Sequence, residues 1–448
     1  MELPTMTRTF NVRRQEAELV LPARPTPTET KPLSDIDDQE GLRFPMTFIH
    51  FYPKNDKKQE DDPAKVIKSA LAEALVSYYP FAGRLKELPD KKLVVECTGE
   101  GVLFVEADAD VTLEELGEEI HPPFPCLDDL LFDVPESDGI LNCPLLTIQV
   151  TRLRCGGFIF ALNLNHTMAD SLGLVQFENA IAEIARGDSS GVPSVTPVWA
   201  RELLNARNPP SETCTHREFI PISNTKRTIF PFDPREFVHK SFYFSPEDIA
   251  ALRSSLPSEL KCSTFDVLIA CLWRCRTIAL EFEPDEEVRT LYFINARSRF
   301  NPPLPEGFYG NAIASPPVVS TAGELITNPL SYVVELVRKP KAEVTEEYMK
   351  SLADLMVLRG RPRLTLVSTY MVSDLTRIGF DDVDFGWGKP VYAGAARAAA
   401  ELIPGVATYF SPRVSKEGEK GVVVPVCLPK LAMEKFAKEV ASMVKRNI

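Results

Sequence analysis

The stretch FIFALNLNHTMADSLGLVQFENAIAEIARG, residues 158–187, changes periodicity once, and His166 stands at the change. Before it, the apolar run FIFALNLN has the length and composition of a strand. From Leu174 onward the apolar positions Leu174, Phe177, Ile181 and Ile184 fall at helical spacing, and Gly187 is placed to close the helix as a C-cap. A histidine between a strand and a helix sits where connections at a sheet's end commonly build sites.

The same alternation extends outward. PLLTIQVTRL (144–153) is a second strand, turned into the first by Cys155-Gly156-Gly157. Upstream, strands are predicted at Glu18–Leu21 and Phe44–Tyr52. A helix follows, capped by Asp62, with Pro63 at its first position and Val66, Ile67, Ala70, Leu71, Ala74 and Leu75 on one apolar face. LVVEC (93–97) and VLFVEA (102–107) flank TGEG and read as a hairpin.

Residues 187–215, rich in Gly, Pro, Ser and Thr, read as a linker. Beyond it the pattern restarts. A strand is expected at Lys240–Phe244, helices in SPEDIAALRSSL and STFDVLIACLWRCRTIAL, and strands in TLYFINAR, RLTLVSTY, GVATYFSPRV and GVVVPVCL. AMEKFAKEVASMVKR is a closing helix. Strands and helices mix in both halves, so the expected class is α/β, with domains at 1–186 and 216–448.

Composition narrows the function. A chain of 448 residues exceeds what one core usually supports. Its net charge of −13 opposes nucleic acid as a bulk partner, so a polyanionic ligand needs a local basic patch. No run of 18 apolar residues suggests a membrane span. The nine cysteines are scattered, without CxxC pairs, and fit reduced thiols in a cytoplasmic protein. Cys271 and Cys275 lie one helical turn apart, on a buried helix.

A neutral imidazole accepts a proton at pH 7, which suits His166 to act as general base for an alcohol. Asp170 could orient the ring or turn away to pair with a cation; spacing alone leaves both open. There is no GxSxG elbow, Walker loop or HExxH, and His50, His121, His216 and His239 lack ligand-like spacing, so no metal site is expected.

With its surroundings, HTMAD resembles the HxxxD motif of the BAHD acyltransferases, plant enzymes that move acyl groups from coenzyme A thioesters. The family's second landmark, DFGWG, is intact at 384–388. Further landmarks run the length of the chain: YYPFAGRL (78–85), VECTGEG (95–101), STFD (263–266), NPPLP followed by FYGN (308–311), and VSDLTR (372–377).

The resemblance implies two chloramphenicol-acetyltransferase-like domains, each a mixed sheet flanked by helices. A crossover at 187–215 would join them, with His166 in a channel between. It implies direct transfer by His166, with acyl-coenzyme A (benzoyl- or acetyl-) as co-substrate, a small-molecule alcohol as acceptor and no permanently bound cofactor. The protein would be a monomer, without nucleic-acid or membrane partners.

By the same resemblance Asp170 pairs with Arg297 in NARSR, and Asp384 and Gly386 are structural. The Trp387 indole N–H is either an oxyanion donor or a packing group. Lys261, Ser263 and Thr264 are candidates for coenzyme A phosphates, with a plain helix cap as the alternative, since STFD is a capping-box pattern. Ser373 and Arg377 are further candidates, and RGRPR (359–363) is another basic cluster.

RPTPTETKPLSDID (24–37), TRIGFDDVDFGWGKPVYAG (376–394) and GVVVPVCLP (421–429) are most similar to the branch of benzyl alcohol benzoyltransferases and fruit-ester alcohol acyltransferases. Hydroxycinnamoyl transfer to larger alcohols, and a lapsed relative that only binds acyl thioesters, are the competing readings. One departure is Ser171, where the family often has glycine after the aspartate, which would crowd the turn.

Overall fold

The periodicity change at His166 becomes a strand, Phe158–Asn165, and a helix, Ser171–Arg186. They belong to a computed structural model that describes residues 2–3, 9–117, 120–133, 139–188, 191–223, 225, 236–397, 405–414 and 418–444. All eight strand residues are buried, because the strand lies inside its sheet with layers on both faces. It pairs antiparallel with Leu146–Leu153 on one side and Pro45–Tyr52 on the other.

The helix begins where the Asp170 side chain accepts from the Gly173 N–H. It ends at Gly187, whose φ of 77° allows its N–H to reach the Glu183 and Ile184 carbonyls. Its buried face, including Leu174, Phe177 and Ile181, packs against the Pro63–Ser77 helix. That second helix starts as its sequence dictates, with Asp62 accepting from the Ala64 N–H and Pro63 at the first position.

Among the described residues there are two large mixed sheets. The first runs Val12–Arg14, Val102–Ala109, Leu146–Leu153, Phe158–Asn165, Pro45–Tyr52, Tyr392–Ala395, and Glu18–Val20 also pairs with Val102–Ala109. The second runs Phe237–Phe244, Lys420–Pro429, Ala407–Val414, Thr369–Asp374, Glu287–Tyr292, Val318–Thr321. Each mixes parallel with antiparallel pairs and is flanked by helices, the α/β architecture implied by the resemblance.

The chain crosses between the sheets more than once. After Thr369–Asp374 in the second sheet it returns to the first as Tyr392–Ala395, paired with Phe48–Phe51, then goes back as Ala407–Val414. Residues 1–186 alone therefore leave the first sheet incomplete. Of the linker expected at 187–215, residues 189–190 lie outside the described residues.

Three expectations are corrected. LVVEC and VLFVEA do not form a hairpin. Leu93–Glu96 pairs with Arg84–Glu87 and Thr30–Pro32 in a separate three-stranded sheet, whereas Val102–Ala109 joins the first large sheet. TGEG carries the chain between sheets, and Gly101 (φ 91°) passes so close to Val20 that a Cβ there would meet its carbonyl at 2.5 Å.

RLTLVSTY is extended only from Thr369, because Ser368 turns the chain at φ 53°. TLYFINAR splits into Glu287–Tyr292 and Ile294–Asn295, with Phe293 between them. Residues 312–362, for which the sequence offers no assignment, carry helices Ala322–Thr327, Leu330–Arg338 and Glu346–Leu358. The closing helix spans Lys430–Val444; its expected last residues, Lys445 and Arg446, lie outside the described residues.

Candidate active site

Where the first sheet ends at His166 it faces the second across a cavity of about 720 Å³. Phe44, Met46, Phe48 and His166 line it from one sheet, and Met371, Ser373, Ala407 and Tyr409 from the other. A smaller cavity, about 310 Å³, adjoins it, and Phe293 and Asp374 line both.

His166 is half-buried, its ring edge-on to Phe44 at 5.3 Å between centroids. Nδ1 is buried without a hydrogen-bond partner, which leaves Nε2 to meet the cavity. Action as a base through Nε2 requires the ring proton on Nδ1. Burial holds the imidazole below its ordinary pKa of 6.5, against the opposing pull of its own backbone and of Asp170. The ring is therefore neutral at pH 7, with a lone pair to offer.

Asp170 does not orient that ring. Both its oxygens are engaged elsewhere, with Arg297 Nη1 and Nη2 at 2.7 and 2.8 Å, the Gly173 N–H at 3.0 Å and the Ala312 N–H at 3.1 Å. Burial alone would raise its pKa, but the Arg297 guanidinium and the two backbone donors more than offset this and hold the carboxyl below 3.8. Crowding falls at Gly173, not Ser171. A Cβ on Gly173 would stand 2.0 Å from the Tyr309 carbonyl oxygen, whereas Ser171 opens the helix and lines the cavity.

Three further residues, which motif reading missed, hold the His166 turn from beneath. Asn311 Nδ2 donates to the His166 carbonyl at 2.8 Å, and Arg201 Nη2 to the Met168 carbonyl at 2.7 Å. Both converge on Asp37 Oδ1, Arg201 at 2.7 Å and the Asn311 N–H and Nδ2 at 2.8 and 2.9 Å. Arg201 threads past the FYGN loop so closely that a Cβ on Gly310 would overlap its guanidinium. A glycine beside an asparagine in FYGN was the available signal; its partners stand at distant positions that spacing cannot link.

DFGWG lies at the other end of the histidine strand. Asp384 Oδ1 accepts from the Gly386 and Gly388 N–H groups at 2.7 and 2.8 Å, a turn that needs their φ values of 105° and 95°. Arg186, the last residue of the histidine helix, donates to the Asp384 carbonyl, and Asn55 Nδ2 to that of Gly386. Trp387 packs edge-on against Phe158, at 5.5 Å between centroids. Phe158 is the first residue of the strand that ends before His166, roughly 23 Å away at ~3.3 Å per residue. Of the two readings open for Trp387, oxyanion donor or packing group, this placement fits packing: the indole is buried at the end of the strand remote from His166.

The smaller cavity gathers Ser263, Thr264 and Arg377, together with Arg299 and Lys341, which sequence reading did not select. Ser263 caps the Thr264–Ala279 helix by a full capping box with Asp266, and Lys341 Nζ pairs with Asp266 at 2.5 Å. Lys261 is exposed and outside this lining, and Ser373 faces the larger cavity instead. The 359–363 arginines are engaged, Arg359 with Glu212, Arg361 with Asp38 and Arg363 with Glu40.

Among the described residues no group of three or more His, Cys, Asp or Glu side chains is arranged to hold a metal, and no helix is long and apolar enough to cross a membrane.

A histidine thus stands where the two sheets meet, beside a basic annex. Residues 10–443 match the Transferase family, and the chain belongs to it, the BAHD acyltransferases. It is an acyltransferase of that family. Among its relatives, benzyl alcohol O-benzoyltransferase of Nicotiana tabacum is 62% identical over 437 residues, 97% of this chain and 94% of that one. Alcohol acyltransferase 16 of Actinidia chinensis var. chinensis is 53% identical over 442 residues, 98% and 95% of the two chains. The crystal structure of vinorine synthase shares the fold at a TM-score of 0.73 and 24% identity, covering 97% of this chain and 99% of that one.

Proposed function

We propose that the protein transfers a benzoyl group from benzoyl-coenzyme A to benzyl alcohol, forming benzyl benzoate and related small esters, and that it works as a monomer. The observation that carries this reading is a neutral His166 on the wall of a largely apolar cavity, in a chain 62% identical to a benzyl alcohol benzoyltransferase.

His166 Nε2 takes the proton from the bound alcohol as its oxygen attacks the thioester carbonyl. A C–O bond forms, the C–S bond of the tetrahedral intermediate breaks, and the departing thiolate recovers the proton from the imidazolium. Ser263, Thr264, Arg299, Lys341 and Arg377 hold the coenzyme A phosphates in the smaller cavity, at the N-terminus of the Thr264–Ala279 helix. Asp170, Arg297, Asp384 and Gly386 keep the two ends of the histidine strand and helix in place. An apolar acceptor site separates neighbouring alcohols by only roughly 1–3 kcal/mol per methylene, so acceptor use is broad.

The test incubates purified protein with benzyl alcohol and, separately, acetyl-, hexanoyl-, benzoyl- and coumaroyl-coenzyme A, with ester detected by mass. Benzyl benzoate as the fastest product, lost in His166→Ala, supports the reading. A coumaroyl ester as the main product replaces it with hydroxycinnamoyl transfer. Binding of acyl-coenzyme A without turnover of any alcohol replaces it with a lapsed enzyme.

A further inference from the structure

The strand Thr369–Asp374 ends where the two cavities meet. There the chain divides its residues between them: Ser373 and Leu375 line the large cavity alone, Thr376 and Arg377 the small one alone. Asp374 and Phe293 line both, so a ligand reaching from the small cavity toward His166 passes these two residues. Phe293 presents an apolar ring, which leaves Asp374 as the polar side chain at the passage.

The two carboxylate oxygens of Asp374 differ. Oδ1 accepts from the Thr376 N–H at 3.0 Å and from the Thr376 hydroxyl at 2.6 Å, which fixes the orientation of the group. Oδ2 has no hydrogen-bond donor and no Lys or Arg paired with it among the described residues. Solvent reaches Oδ2, since the side chain is half-buried and this oxygen is not one of the protein's sealed, unpartnered polar atoms.

Such an acceptor stands out from its surroundings. The small cavity gathers Arg299, Lys341 and Arg377, a set suited to phosphates, and a carboxylate beside a polyanion is repulsive unless it meets a donor. Coenzyme A carries donors at this level, because the pantetheine arm between its phosphates and its sulfur has two amide N–H groups. We propose that Asp374 Oδ2 accepts a hydrogen bond from an amide N–H of this arm, and so sets how far the thioester reaches toward His166. This rests on the function proposed above and deepens it, by naming the part of the acyl donor that the passage recognises. Asp374 binds the arm and takes no part in proton transfer or bond cleavage.

The experiment measures kcat/KM, at saturating alcohol, for benzoyl-coenzyme A and two analogues. Each analogue has one amide of the arm replaced by an ester, which deletes an N–H and keeps the length. The wild type should lose on the order of tenfold on one analogue, the worth of one hydrogen bond to a carboxylate, and little on the other. Asp374→Asn keeps an oxygen for Thr376 but sets an amide N–H₂ where Oδ2 stands. It should slow the intact thioester by a similar factor and no longer separate it from that analogue.

Equal turnover of all three thioesters by the wild type overturns the proposal even if the variant does not fold. So does a variant that keeps the wild-type ratios, whatever its overall rate, because the acceptor then lies elsewhere. If coumaroyl transfer replaces benzoyl transfer, the three thioesters are made with that acyl group and the test is unchanged. If no alcohol is acylated, the proposed function fails separately, and calorimetric binding of the three thioesters decides the matter. One analogue weaker in the wild type and level with the parent in Asp374→Asn upholds the contact; equal binding in the wild type removes it.

Discussion

The two signature turns of this chain, HTMAD and DFGWG, stand at opposite ends of the same strand and helix, and only the first lines the large cavity. The Phe158–Asn165 strand spans roughly 23 Å at ~3.3 Å per residue, and the sixteen residues of Ser171–Arg186 span about 24 Å at 1.5 Å per residue. The helix therefore returns the chain to the level at which the strand began. There Asp384, Gly386 and Trp387 tie Arg186 and Phe158 together. At the other end, Asp170 pairs with Arg297, Arg201 and Asn311 converge on Asp37, and Asn311 also holds the His166 carbonyl, while the His166 ring lines the cavity. A recognisable motif can be entirely architectural; what distinguishes the histidine turn is a half-buried imidazole on the cavity wall.

The largest effect should come from the reactive end. His166→Ala is expected to lower kcat by roughly 10²–10⁴ while the protein stays folded, as read by steady-state rates beside a melting curve. The pH profile sharpens this. The ring must be neutral to act, and its pKa lies below 6.5, so the rate is on its plateau at pH 7. It should fall only as pH drops through that lowered value; an acidic limb centred above 7 would contradict a buried neutral base.

Next comes the pair behind the turn. Arg297→Ala strands the buried Asp170 carboxylate and should cost about 3–5 kcal/mol in denaturant unfolding at pH 7. The sign with pH follows from the lowered Asp170 pKa. The stabilisation is complete above the unfolded value near 3.9 and is lost as pH falls through the folded one. The gap between variant and wild type should therefore narrow on acidification, and a constant gap would mean that packing, rather than charge, holds the turn.

A smaller effect is expected from the layer beneath. Asn311→Ala removes the donor to the His166 carbonyl and should reduce kcat by about tenfold, the worth of one to two hydrogen bonds, with KM for the alcohol nearly unchanged. A change in KM alone would relocate Asn311 to substrate binding.

How much of this was legible varies with sequence separation. The strand, the helix and the caps at Asp62 and Gly187 are local patterns, and the chain follows them, whereas the Asp170 cap went unread. The Asp170–Arg297 pair was reachable only through family resemblance, since 127 residues separate the partners. The Asp37–Arg201–Asn311 cluster joins positions 164 and 274 residues apart and leaves no periodic trace. TGEG was misread because two strands flanking a glycine-rich turn look alike whether they pair with each other or leave for different sheets. The role of Trp387 stayed open between two readings for a related reason. A motif states which residues keep company in sequence, and the strand's length decides which end of the sheet they reach.

The smallest expected effect is the most telling. The single-turnover rate of Trp387→Phe, at saturating benzoyl-coenzyme A and benzyl alcohol, should stay within about twofold of wild type, because the indole packs against Phe158 at the end of the strand remote from His166. A loss of 10²-fold or more in folded protein, the size expected for a missing oxyanion donor, would put Trp387 at the reacting carbonyl and overturn the division between a chemical and an architectural turn.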